Sequence, residues 1–383
     1  MSSLRATLQA HVDRGAVAGA VALVARGGRV EEAVVGSADL ASGRPMARDS
    51  IFRLASVTKP VVAAAVLMLV EDGRIALDDP VGRWLPELAA PRVVRTPRSP
   101  VTDTVPAARP ITVADLLASC AGYGFPSDPS LPAAELLLGT VQKYGRDPQL
   151  VLAPDAWTAA LAEVPLLYQP GEAWLYNTCS DLQGVLIARV TGGGLPEFLA
   201  ERVFEPLGMV DTGFAVPPGD LDRFTSYYRS GSAGVLELVD APDGRWSSRP
   251  AFPSGAGGLV STADDWHAFA RMLLAEGAAP GGRRLLAPRT VRLMTGDRLT
   301  APQRSAGGLF LDGQSWGYGG SVDIRRADPW NVPGRYGWVG GTGTSAHLVP
   351  STGAVTILLT QLAAESPTAG AVFEDFWRYA AGA

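Results

Sequence analysis

Ser56 and Lys59 stand three residues apart in the stretch "FRLASVTKPVVAAAVLMLVEDG", residues 52 to 73. A serine hydroxyl is a poor nucleophile at neutral pH and needs a base within hydrogen-bond reach. Residues three apart on a helix share a face, so a base at position 59 would sit beside a hydroxyl at position 56. Burial among Val, Ala and Leu lowers the pKa of a lysine. An arginine there would stay protonated. The chain has two lysines, Lys59 and Lys143, against 31 arginines, so lysine has persisted at 59 in a background that favours arginine. Ser56 also falls at the start of the apolar run, where helix N–H groups and dipole favour developing negative charge. The competing reading is an ordinary solvated helix face with no chemistry. S-x-x-K is a nucleophile motif that takes two further elements. Candidates are Tyr176, just ahead of a helical pattern in "PGEAWLYNTCSDLQGVLIARVTG", and the glycine-rich "RYGWVGGTGTSAHLVP". Taken alone, Tyr176 reads as a packed aromatic and the glycines as a turn.

These residues need elements to hold them. "AGAVALVARGGRVEEAVVGSAD" predicts a hairpin around Gly27-Gly28, with β-branched runs on either side. Residues 57 to 72 read as a buried helix that stops at Gly73. Residues 89 to 110 carry five prolines and no clear period, which reads as a long surface loop. "ITVADLLASC" opens a helix with Thr112 as N-cap and Asp115 three residues on. "SDLQGVLIARVTGG" and "LPEFLAERVFEPLG" read as amphipathic helices with glycine stops, and "GGLVSTADDWHAFARMLLAEG" repeats the pattern with Ser261 or Thr262 as cap. "GTSAHLVPSTGAVTILLTQL" predicts a second hairpin, and "SPTAGAVFEDFWRYAAGA" a closing helix. Strands at both ends with helices between imply one antiparallel sheet, flanked by helices, with a helical region inserted.

Composition narrows the classes. A net charge of -5 argues against a nucleic-acid footprint. The longest apolar run, Val61 to Val70, is too short to span a bilayer, and the first residues lack an apolar signal core. The expectation is a cytoplasmic protein with a small-molecule substrate and neither nucleic-acid nor membrane partners; the oligomeric state is left open. Two cysteines, no CxxC and three scattered histidines predict no disulfide framework, no metal and no cofactor. No G-x-S-x-G elbow occurs, which disfavours a Ser-His-Asp esterase. Ser345 and His347 share a strand face without such an elbow.

"FRLASVTKPVVAAAVLMLVEDGRIALDDPVGRWLP" resembles the serine β-lactamase-related hydrolases. This group includes class C β-lactamases, penicillin-binding-protein-like D-Ala-D-Ala carboxypeptidases, family VIII carboxylesterases and related acyltransferases. "ITVADLLASCAG", "PGEAWLYNTCSDLQGVLI", "VFEPLGMVDTGF", "GAGGLVSTADDWHAFARMLL" and "YGWVGGTGTSAHLVPSTG" follow in the group's order, so the likeness runs from about residue 15 to about residue 361. It implies an α/β domain of residues 1–85 and 245–383, a mostly helical domain of residues 86–244, and an active site in the cleft between. It implies Ser56 as acylated nucleophile, Lys59 as its proton partner and Tyr176 as general base. The backbone N–H groups of Ser56 and Gly341 would form the oxyanion hole.

Three departures shape the substrate expectation. Tyr176-Asn177-Thr178 puts Thr178 where Tyr-x-Asn enzymes carry the Asn that grips a substrate amide, so Asn177 and Thr178 are both substrate-binding candidates. Trp338-Val339-Gly340 replaces Lys-Thr-Gly or His-x-Gly, as in family VIII carboxylesterases. The histidine of "LLxHxSG" is absent from Leu116–Gly122. Trp338 offers an apolar plane and an indole donor where a cation would meet a substrate carboxylate, and Gly340 follows on the same strand face. The expectation is a carboxylesterase for small esters. A β-lactamase, a D-amino-acid amidase or peptidase, an acyltransferase, and an acylated sensor without turnover are the alternatives. The other reading of Trp338 is simple packing, with selectivity set elsewhere, for instance by Arg335.

Overall fold

Gly19–Arg26 (β1) is buried on both sides, which is why it reads as an almost unbroken apolar run. Val21 and Leu23 face one hydrophobic layer; Ala20, Ala22 and Val24 face another. A two-residue turn joins β1 to Arg29–Asp39 (β2), and Gly27 and Gly28 both take positive φ, as such turns require. The remaining strands of the sheet are Arg44–Pro45 (β3), Ser315–Trp316 (β4), Ser321–Val322 (β5), Tyr336–Gly340 (β6), Thr344–Val349 (β7) and Ala354–Thr360 (β8). All pairings are antiparallel, in the order β4-β5-β6-β7-β8-β1-β2-β3. The two ends of the chain therefore share one sheet, with β1 paired directly to β8 and Val21 opposite Leu359. This computed structural model describes residues 3–142, 147–366 and 368–382; Lys143 lies outside them.

Helices Leu4–Asp13 (α1) and Ala371–Ala381 (α6) cover the outer face, where Leu4, Leu8, Phe376 and Trp377 pack on Ala20, Ala22 and Leu358. The inner face meets the main core, which includes Lys59–Glu71 (α2), Val113–Leu117 (α3), Thr178–Thr191 (α4) and Ala263–Leu274 (α5). Every residue of α2 from Lys59 to Leu69 is buried, as expected of a helix apolar on all sides. The expectation of an amphipathic α4 needs correction. Thr178 to Ile187 are all buried, because α2 packs along one side of α4 and α3 along another. Thr112 caps α3 in a full capping box with Asp115, and Thr262, not Ser261, caps α5 through the Asp265 N–H. The proline-rich stretch 89–110 is not plain loop. It contains a small antiparallel pair, Arg92–Val94 with Thr104–Pro106, whose three-residue strands are too short to show alternation. Among the described residues no helix is long and apolar enough to cross a membrane.

Candidate active site

The chain reaches Ser56 through a sharp turn. Phe52–Arg53 pairs with Val260–Ser261, and the Leu54 N–H donates to the Leu259 carbonyl at 2.9 Å. Ala55 then takes φ +46°, a region a β-carbon disfavours by about 1–3 kcal/mol. A single 3-10 turn, Ala55–Thr58, carries Ser56 into α2, with Pro60 in its first turn. The turn between β6 and β7 is fastened to this approach. Thr342 Oγ1 donates to the Arg53 carbonyl at 2.5 Å, and Thr344 Oγ1 to the Leu54 carbonyl at 2.7 Å. Gly340 lies against Leu54 and Ala55 so closely that a β-carbon there would collide with the Leu54 carbonyl. Gly341 follows in the same turn, which holds this end of β6 beside Ser56; its carbonyl accepts from the Ala364 N–H.

Lys59 is almost wholly buried, 1% exposed. Its Nζ meets three oxygens: Ser56 Oγ at 2.9 Å, Asn177 Oδ1 at 2.9 Å and the Ala256 carbonyl at 2.6 Å. The amide oxygen and the carbonyl can only accept, so they fix two of the lysine's protons. The third position of the nitrogen points at Ser56. A protonated Lys59 donates there; a neutral one presents its lone pair to the serine proton. Burial pulls the Lys59 pKa down, opposed by Tyr176 and Asp181.

Tyr176 Oη lies 2.8 Å from Ser56 Oγ. Its backbone is pinned in both directions to Phe125, at 2.9 and 3.0 Å, and Gly124 at φ +141° permits that approach. Asn177 follows with φ +82° and ψ −63°, and the Thr178 N–H lies 3.2 Å from the Tyr176 carbonyl. This is a strained γ-turn. It has a geometric use: neighbouring residues of an extended chain point apart, whereas the turn lets Tyr176 and Asn177 both reach the Ser56–Lys59 pair.

Trp338 is 4% exposed, and its indole Nε1 donates to Tyr176 Oη at 2.8 Å. Its ring packs edge-on against Trp316 at 4.8 Å, and Tyr176 stacks on Phe310 at 4.8 Å. The indole donor that Trp338 offers in place of a cation is engaged with Tyr176. The expectation for Thr178 needs correction. It is fully buried at the head of α4 with its hydroxyl unpartnered, so it presents nothing to a substrate, and Asn177 is the residue that reaches the site. Arg335 lies elsewhere, buried beside Asp323 at 3.7 Å and over the Trp377 ring. Ser345 and His347 do share a strand face, 3.2 Å apart, but that face meets Trp377 of α6.

Sequence reasoning missed three participants. The Ala256 carbonyl is backbone and leaves no residue signature. Phe310 looks like any apolar residue until it is seen against Tyr176. Asp181 is a buried carboxyl on α4 whose only sequence signal is an acidic residue in a helix that proves to be core.

A family model for β-lactamase matches residues 4–374. The chain belongs to the β-lactamase family. Proteins similar to it include an uncharacterized protein of Mycobacterium tuberculosis, 37% identical over 93% of this chain and 89% of its own. The esterase EstB of Burkholderia gladioli is 33% identical over 95% of this chain and 92% of its own. Among solved structures, EstCE1, described as a hydrolase with promiscuous acyltransferase activity, superposes with a TM-score of 0.82 at 28% identity, covering 99% of this chain and 97% of that one. At family level the chain is a hydrolase or acyl-transfer enzyme.

Proposed function

We propose that this β-lactamase-family protein is a carboxylesterase that works through an acyl-enzyme on Ser56. The observation that carries the reading is the triangle of Ser56, Lys59 and Tyr176, with Oγ 2.9 Å from Nζ and 2.8 Å from Oη. Ser56 Oγ attacks the ester carbonyl carbon, and its proton passes to the Lys59–Tyr176 pair. The tetrahedral oxyanion is held by the N–H groups of Ser56 and Gly341, at about 3–4 kcal/mol for each such donor. The ester C–O bond breaks, the departing alkoxide takes the proton from the pair, and the acyl group remains on Ser56. Water then attacks the acyl carbon by the same route in reverse and frees the acid.

The preference for an uncharged ester rests on Trp338. A substrate carboxylate would meet no cation at this position, and the indole N–H is already engaged with Tyr176. An anionic substrate thereby lacks a charge-assisted contact worth about 1.5–3 kcal/mol. The similarity to EstB agrees with this reading. A second reading, acyl transfer to an alcohol, draws on the similarity to EstCE1 and needs only a different acceptor in the last step. The test is kcat/KM for p-nitrophenyl acetate or butyrate against a penicillin, with an alcohol acceptor added in a parallel series. The short neutral ester is expected to be cleaved far faster. A preference for the penicillin overturns the esterase assignment and leaves the acylation machinery standing; a transfer product that outpaces hydrolysis decides for the second reading.

A further inference from the structure

Asp181 sits one helical turn into α4, buried and 5% exposed, and takes no part in the acylation steps above. Its Oδ1 accepts from Ser254 Oγ at 2.6 Å and from the Ala256 N–H at 3.1 Å. Ser254 Oγ in turn accepts from the Gly257 N–H at 3.1 Å. Two groups of the strap Ser254–Gly257 thus converge on one carboxyl oxygen, and a third, the Gly257 N–H, is tied to it through Ser254. The strap lies directly on α4: a β-carbon at Gly255 would collide with the Ser180 carbonyl. Its far side reaches the site, because the Ala256 carbonyl is the closest of the three acceptors of Lys59 Nζ, and Gly257 packs beside Ala55.

We infer that Asp181 is a positioning residue, whose carboxylate clamps the Ser254–Gly257 strap onto α4 so that the Ala256 carbonyl holds Lys59 Nζ toward Ser56, and whose negative charge balances that buried lysine. The inference rests on Lys59 acting as the proposed proton partner of Ser56. Among the described residues Lys59 is the group whose charge acts on Asp181, and Tyr176 and Asp181 are the groups that act on Lys59. Cys179, two residues before Asp181, donates to the Tyr123 carbonyl, and burial pushes its thiol up to about 12, so it stays neutral. Asp115 on α3 is paired with Arg109. The strap itself, Ser254 to Gly257, brings no ionisable side chain. Lys59 is thus flanked by the phenol of Tyr176 and by the carboxyl of Asp181, which burial pushes toward the neutral form and which the Ser254 and Ala256 hydrogen bonds and the charge of Lys59 hold toward the ionised one.

The test compares Asp181→Asn, Asp181→Glu and Ser254→Ala in the full chain, with p-nitrophenyl acetate as probe across the pH range. Asn keeps an acceptor oxygen for the strap and removes the charge. The expected result is a kcat loss of about tenfold to 10²-fold, the scale of a small misplacement of reacting groups, at unchanged KM. The acid limb of the kcat/KM profile is expected to move to lower pH, because the site loses the charge that favours a proton on Lys59. Ser254→Ala leaves the charge in place and loosens the strap, so kcat falls and the limb stays where it is. Asp181→Glu recovers the wild-type limb. A folded Asp181→Asn protein with the wild-type profile overturns the inference. If Asp181→Asn does not fold, Ser254→Ala decides: a wild-type kcat there overturns the inference, and a lower kcat with an unmoved limb supports it. Failure of the underlying reading shows separately, as a wild-type protein whose Ser56 is not acylated.

Discussion

Replacing Trp338 with phenylalanine takes one donor away from Tyr176 and leaves an aromatic ring to pack on Trp316. The lost contact is the indole Nε1 to Oη hydrogen bond of 2.8 Å. Its worth depends on what Tyr176 is during the reaction. A hydrogen bond to a neutral group contributes about 0.5–1.5 kcal/mol, and one to a charged group about 1.5–3 kcal/mol. In rate these are losses of about 2- to 10-fold and about 10- to 150-fold, respectively. In the proposed mechanism Tyr176 shares with Lys59 the proton taken from Ser56, and the phenolate form is where the indole donor counts most. The expected result is therefore a kcat loss of about 10- to 150-fold on p-nitrophenyl acetate, with KM close to wild type, since the donor does not touch a neutral ester. Trp338 is buried, so thermal unfolding by circular dichroism is followed alongside to confirm that the variant is folded at the assay temperature. A folded Trp338→Phe enzyme with kcat within about twofold of wild type, below even the neutral-bond range, refutes the idea that this hydrogen bond tunes the base.

Lys59→Arg keeps charge but removes the ability to give up a proton and the point geometry that satisfies Ser56, Asn177 and Ala256 together; kcat is expected to fall by about 10²–10⁴, and stopped-flow acylation with wild-type amplitude and rate contradicts the role given to the lysine. Burial and Arg335 push the fully buried His347 well below its ordinary value of 6.5. The folded protein keeps that ring neutral while the unfolded chain binds a proton near that value, so stability is full above about pH 6.5 and declines as the pH falls below it. The fall in Tm between pH 7 and pH 5 is expected to be smaller in His347→Gln, and an identical fall in both proteins contradicts this assignment.

Several features were legible in the sequence for physical reasons. β1 and its glycine turn, the β7–β8 hairpin around "PSTG" and the Thr112–Asp115 cap are local patterns, fixed by a few neighbouring residues. The Ser56–Lys59 pairing was legible because both residues lie on one short segment and lysine chemistry cannot be supplied by arginine. What remained hidden depends on distant chain segments meeting. Asn177, not Thr178, reaches the lysine because of a γ-turn that no composition announces. Trp338 was readable as an indole in place of a cation, yet its partner, 162 positions away in the chain, appears only once β6 is laid beside Tyr176. The polarity of α4 suggested a solvent face, and only its packing between α2 and α3 makes Asp181 a buried carboxylate. The Ala256 carbonyl is a backbone group, invisible to any reading of side chains.

The central claim is that Ser56 carries the acyl group. It is tested most directly by treating the protein with a fluorophosphonate probe, measuring intact mass, and mapping the labelled peptide in wild type and in Ser56→Ala. The account predicts one adduct per chain, located on Ser56 and absent from the variant. An adduct on another residue, or equal labelling of the Ser56→Ala protein, contradicts it.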